Sequence, residues 1–235
     1  MNFVSNMPVD TADRAPVRRG PDVAGFLRNQ IVTRQLQAGD RVRVESVAQA
    51  LNVSATPVRE ALHALQAEGF LHYQHNRGFL VARLSAADVR DIYVAIGLLA
   101  GELAARAAMS ADSVDLAPMR AVQERLREAS AAEAVNNDDL SELVSAFYHQ
   151  LHVLGQSPKI VSLVLTLDMY TPQALHVTIP GWLAATVRFH DLLIAALEAR
   201  QPEAARAAVR GHLGNAAELF STMYESGSRD ASESH

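Results

Sequence analysis

Between Val47 and Gly69 the apolar positions fall into two helical registers separated by a short break. Val47, Ala48 and Leu51 form a brief stripe that closes at Leu51-Asn52-Val53. Val58, Ala61, Leu62 and Leu65 then recur at i, i+3, i+4 and i+7, which turns them inward and leaves Thr56, Arg59 and His63 on the opposite face. Ser54 stands where an N-cap belongs, and Gly69 marks the stop. Pro57 falls in the first turn, where a missing N–H breaks no intrahelical bond. The pattern predicts a helix-turn-helix whose second helix offers its N-terminal residues to the major groove of DNA. A helical hairpin that merely packs is the bland alternative.

The flanks extend this unit. Val23, Phe26, Leu27 and Ile31 predict an inward-facing helix over about 22–36, and Gly39-Asp40 turns the chain into a short strand over 41–44. Runs at 70–73 and 79–82 read as two strands joined by Gln74-His75-Asn76-Arg77-Gly78, a loop whose Asn and Gly tolerate positive φ. From Ser85 onward the periodicity is helical throughout. Val89, Ile92, Tyr93, Ile96, Leu99, Leu103 and Ala107 make the inward stripe of a long helix, followed by helices at about 112–132, 138–155, 158–171, 181–199 and 203–224. The expected fold is mainly α: an N-terminal winged helix-turn-helix with a small β-hairpin wing, then a C-terminal all-α antiparallel bundle enclosing a cavity. In domains, this gives a flexible arm over 1–21, a DNA-binding module over 22–83, a helical ligand-binding and dimerisation domain over 84–225 and a disordered polar tail over 226–235.

Composition narrows the class. Hydrophobic content of 49% with 20% charged residues fits a globular chain and argues against global disorder. The absence of Cys excludes disulfides and thiolate metal sites. No uninterrupted apolar run reaches the roughly 18 residues of a bilayer span, and the N-terminus has no signal-peptide core; a cytoplasmic protein without a membrane partner is expected. The net charge of −5 divides unevenly. Residues 1–83 hold ten Arg against seven Asp and Glu, a net +3, while the remainder holds eleven Lys and Arg against nineteen Asp and Glu, a net −8. A basic module on an acidic body is what phosphate contact by one end requires.

The stretch GDRVRVESVAQALNVSATPVREALHALQAEGFLHYQHNRGFLVARL resembles the winged-helix domain of the GntR family of bacterial transcription regulators. It is most similar to the FadR-like branch, which carries an all-helical C-terminal FCD ligand domain. The motifs are Gly39-Asp40, Val53-Ser54, Thr56 through Leu62, Glu68-Gly69 and Arg77-Gly78. With the residue pattern, the resemblance implies a DNA-contacting set of Arg43, Ser54, Thr56, Arg59, His63, His75, Arg77 and Gly78. One departure is Ala55, where the family usually has arginine, so a family contact to DNA is missing. Arg18-Arg19 in the arm either reach phosphate or are simply solvated.

Two histidines lie on apolar stripes of the bundle: His190 between Val187 and Ile194, and His212 between Val209 and Ala216. The resemblance implies that histidines at these positions bind a divalent metal together with an Asp and a His from an earlier helix. Counting back from Ser157-Pro158, those earlier positions are Val144 and Tyr148. His149 is expected to point away from Tyr148, whereas His152 follows one turn later on its face. Two arrangements stay open: a shifted Zn or Ni site of His152, His190 and His212, or a metal-free pocket with hydrogen-bonding histidines. The family's carboxylate-clamping Arg and the Glu after it correspond to Ile96 and Ala100, which favours a more apolar effector, acyl or aromatic. The expected pocket is Ile96, Tyr148, His152, His190 and His212, with Trp182 nearby.

The leading expectation is a ligand-responsive repressor that binds a palindromic double-stranded DNA operator as a homodimer and answers to a small-molecule effector. The alternatives are a metal-dependent enzyme in the helical domain, which lacks a companion carboxylate or nucleophile motif, and a DNA-binding dimer without effector sensing.

Overall fold

The computed structural model describes residues 22–112, 115–131, 136–171, 176 and 178–232, with backbone only at 223 and 225–232. The expected arm over 1–21, including Arg18-Arg19, lies outside the described residues. Asp22 caps α1 (Val23–Val32) by accepting from the Gly25 amide at 2.9 Å. Strand β1 (Arg41–Val42) leads directly into α2 (Val44–Leu51), which ends where Asn52 takes the left-handed conformation at φ 52°. After that sharp turn α3 (Ala55–Ala67) runs to Gly69, whose φ of 85° needs a residue without Cβ. Strands β2 (Leu71–Gln74) and β3 (Gly78–Val81) close the wing, with Asn76 and Gly78 at positive φ. The sheet is antiparallel in the order β1-β3-β2, with Arg41 opposite Leu80 and Gln74 opposite Gly78. Helices and wing are held together by one apolar core, to which Leu27, Ile31, Val58, Leu62, Leu65, Phe70 and Val81 all contribute. Phe26, expected inward, is 41% exposed.

The second half is the expected helical bundle: α4 (Ala86–Ser110), α5 (Ala117–Ala131), α6 (Asn137–Leu154), α7 (Pro158–Asp168), α8 (Trp182–Glu198) and α9 (Pro202–Ser232). Ser85 and Asp88 form a reciprocal capping box at the start of α4. Helix α4 is the axis of the bundle and packs along α9; Gly97 faces the Leu213 Cβ, and Gly101 faces Arg206, so the two backbones approach closely. By length and composition alone α4 is apolar enough to cross a membrane, but 56% of its most apolar 18-residue window is buried inside the bundle. The same apolarity is what a central core helix requires. Helix α9 extends well past the expected end near 224, so the stretch from 226 to Ser232 is helical backbone rather than a structureless tail.

Candidate functional site

The basic face is assembled by α2, α3 and the wing. Ser54, Thr56, Arg59 and His63 stand exposed along α3, and His75 and Arg77 are exposed at the wing tip. Ser54 occupies the N-cap position, but its hydroxyl makes no cap bond, which leaves it available to an outside acceptor or donor. His63 packs edge-on against Phe79 of the wing at 5.2 Å, so it also braces α3 against β3. Gly78 is half-buried, and a side chain there would meet the Arg41 guanidinium at 3.8 Å. Arg41 and Arg43 alternate outward around buried Val42. Arg41 therefore joins the face beside the wing, a residue that sequence reasoning left out although the strand alternation signalled it. By contrast, Arg28 is spent on Glu68, with its Nη2 at 2.7 Å from Oε2.

A cavity of about 580 Å³ opens inside the helical domain, walled by α4, α6, α7, α8 and α9. Ile96, Tyr148, His152 and His212 of the expected pocket line it, as do Trp182, Val144 and Ala100. His190 does not. It lies behind the wall, stacked on Phe147 at 3.6 Å. His149, expected to point away from Tyr148, is exposed and also borders the cavity. Asp168 at the end of α7 was not foreseen. Burial pushes its carboxyl up to about 6.

Between Asp168 and Thr171, both lining the cavity, Tyr170 faces the other way. Its ring stacks on Phe70 at 4.4 Å, and its hydroxyl donates to the carbonyl of Glu68 at the end of α3. Tyr224 of α9 makes a second tie by donating to the Val32 carbonyl of α1 at 2.8 Å, with Arg34 over its ring.

The family model described as bacterial regulatory proteins, gntR family, matches residues 21–81, and that of the FCD domain matches residues 91–215. The chain belongs to the GntR family. It is a DNA-binding transcription regulator with an FCD domain. Among its relatives, the HTH-type transcriptional regulator Rv0043c of Mycobacterium tuberculosis is 28% identical over 83% of this chain and 78% of its own length. An HTH-type regulator encoded in the ttuE-ttuC' intergenic region of Agrobacterium vitis is 30% identical over 72% of this chain and 75% of its own. The solved structure of McbR/YncC from E. coli shares the fold at a TM-score of 0.66 and 22% identity, covering 86% of this chain and 96% of that one. These relatives are named as transcription regulators, not enzymes.

Within this GntR regulator the hydrogen-bond partners assign the tautomers of His212 and His190. The Thr186 hydroxyl has one hydrogen, and it goes to the Trp182 carbonyl at 2.9 Å. Its 3.0 Å contact with His212 Nε2 must then be an N–H donated by the histidine. Burial holds His212 neutral, down to about 4, so its Nδ1 is a lone pair that accepts the Tyr148 hydroxyl. In the same way Gln123 donates its amide to Val187 and Asp191, so its Oε1 accepts from His190 Nδ1 at 3.1 Å. The His190 Nε2 lone pair is thus buried without a partner among the described residues, as are His152 Nε2 and Trp182 Nε1. Burial, then the proximity of His212, lowers His176 to about 3; it pairs with the Tyr93 hydroxyl at 2.6 Å.

Of the two open arrangements, the metal set of His152, His190 and His212 does not come together among the described residues. Both nitrogens of His212 are engaged, Nδ1 by the Tyr148 hydroxyl and Nε2 by the Thr186 hydroxyl. Among the described residues no three His, Asp or Glu side chains come together to hold an ion. The residues present do not fit a divalent Zn or Ni centre, which needs at least three converging donors.

Proposed function

We propose that this regulator is a ligand-responsive repressor: a homodimer that binds an inverted-repeat operator and releases it when a small molecule enters the cavity of the helical domain. The observation that carries the reading is the turn from Asp168 to Thr171. Its two ends line the cavity, and Tyr170 between them rests on Phe70 and Glu68, immediately after the reading helix. A ligand that displaces Asp168 or Thr171 therefore moves the support of α3, giving the differential interaction with two arrangements that coupling needs. Tyr170 and Tyr224 tie the reading head to the helical domain, and the arrangement with these ties intact is the one assigned to operator binding. Acting on chromosomal operators, the protein is expected to work in the cytoplasm.

The test starts from a genome-wide map of bound sites, which supplies the operator. Compounds that raise the melting temperature are then titrated against operator complexes of wild type and Tyr170→Ala. The expected result is release of the wild type and retention of the variant. An absence of inverted repeats among the bound sites, or equal release of both proteins, overturns the reading.

A further inference from the structure

We propose that the cavity selects an organic cation, a primary ammonium group on an aromatic or branched apolar body, seated at Asp168. The inference rests on the cavity being the effector site and names the chemistry that fills it.

Two polar groups along the wall, Asp168 and Tyr148, present acceptors to the cavity. Asp168 brings a carboxylate to the cavity, and among the described residues no Lys or Arg lines it. Tyr148 has committed its only hydrogen to His212 Nδ1, so towards a ligand its oxygen can only accept. The groups that face the cavity with Asp168 are Tyr93 from α4, Tyr148, His149 and His152 from α6, His176, and His212 from α9. Of these, His152, His176 and His212 are pushed towards the neutral form by burial first of all, so they do not offset a second negative charge. A carboxylate ligand would meet Asp168 without a compensating cation, at the positions where Ile96 and Ala100 replace the polar pair implied by the family resemblance. An ammonium group instead restores the solvation that burial takes from Asp168, with three N–H donors for the carboxylate and the Tyr148 oxygen. Tyr93, Tyr148 and Trp182 line the same cavity and give an aromatic, apolar wall for the body. Trp182 Nε1, buried and without a partner among the described residues, offers one donor to an oxygen on that body.

The experiment is calorimetric titration of the full chain with three probes that share one ring and differ in the head group: 2-phenylethylamine, 2-phenylethanol and phenylacetate. At pH 8 the amine is expected to bind at least roughly tenfold more tightly than either of the others, the scale of a charge-assisted hydrogen bond. That advantage should vanish in Asp168→Asn, and in the wild type it should fade as pH drops through about 6 and the carboxyl takes up its proton. The wild-type pH series keeps the test intact if the variant folds poorly. Equal or tighter binding of the alcohol or the carboxylate, amine binding unchanged in Asp168→Asn, or no binding by any of the three overturns the inference. If phenylacetate binds and releases the operator, ligand response stands and the cation assignment fails. If the amine binds as expected but leaves operator affinity unchanged, the cation site stands and the ligand-response reading fails.

Discussion

Single residues set both chemistries of the molecule. Arg59 projects from the reading helix and Arg77 from the wing, so their losses should differ in kind. Arg59→Ala is expected to cost about 1–3 kcal/mol per half-site, mostly from specific binding, whereas Arg77→Ala should weaken all sequences alike and lower the salt slope by about one. Anisotropy titrations of operator and scrambled duplexes over a range of salt check both. The buried titrating groups make opposite contributions to stability. His176 and His212 have folded values of about 3 and about 4, below their unfolded value, so the unfolded chain protonates first. Their stabilisation is complete above about pH 6.5 and is lost as pH falls from there through the folded values. Asp168 is raised from 3.8 to about 6, so its contribution is present below 3.8 and lost as pH rises through 6. Asp168→Asn should therefore stabilise the ligand-free protein at pH 8 by about 1–2 kcal/mol, with the gain disappearing towards pH 4. Thermal melts of the two proteins at pH 4, 6 and 8 give the result; a variant less stable at pH 8 would contradict the burial of a lone carboxylate.

At the scale of elements, the bundle depends on close helix approach as much as on apolar stripes. Gly155 ends α6 against α4, and a Cβ there would fall 2.7 Å from the Leu103 Cβ and 3.0 Å from its Cα. Backbone atoms cannot turn aside as a flexible side chain does, so Gly155→Ala is expected to destabilise by about 1–3 kcal/mol. Chemical denaturation should show a lower midpoint with an unchanged slope. Its φ of −71° makes this a packing cost and not a conformational one. The turn after α7 shows the reverse economy: four residues serve two surfaces, Asp168 and Thr171 lining the cavity and Tyr170 covering Phe70.

For the whole molecule, one reading helix per chain presents few base contacts, and a two-fold pair roughly doubles them while matching an inverted repeat. Val94 and Leu98 stand half-exposed one turn apart on α4, apolar surface that a second copy can cover. Light scattering should therefore find a dimer at micromolar concentration, and Leu98→Glu should shift it towards monomer. A wild-type chain that stays monomeric with and without operator would rule out paired binding. The tyrosine ties link the two domains, with Tyr170 reaching 102 residues back to Glu68 and Tyr224 reaching 192 back to Val32.

What the chain determined by itself is what short-range backbone geometry controls. The inward stripe of α3, the stop at Gly69, the positive-φ wing residues and the Ser85 cap each depend on neighbours within a turn or two, so periodicity and residue type disclosed them. The identities of Val144, Tyr148, Ile96 and Ala100, departures only in the light of the family resemblance, were equally legible, because each is read directly from the sequence. Tertiary structure decided the rest. His212 is sealed by Thr186 and Tyr148 from two other helices, and His190 is drawn behind the wall by Gln123 and Phe147. Asp168 becomes a cavity group because α7 ends against the bundle. Those outcomes depend on how helices far apart in sequence are placed, and no local pattern encodes that placement.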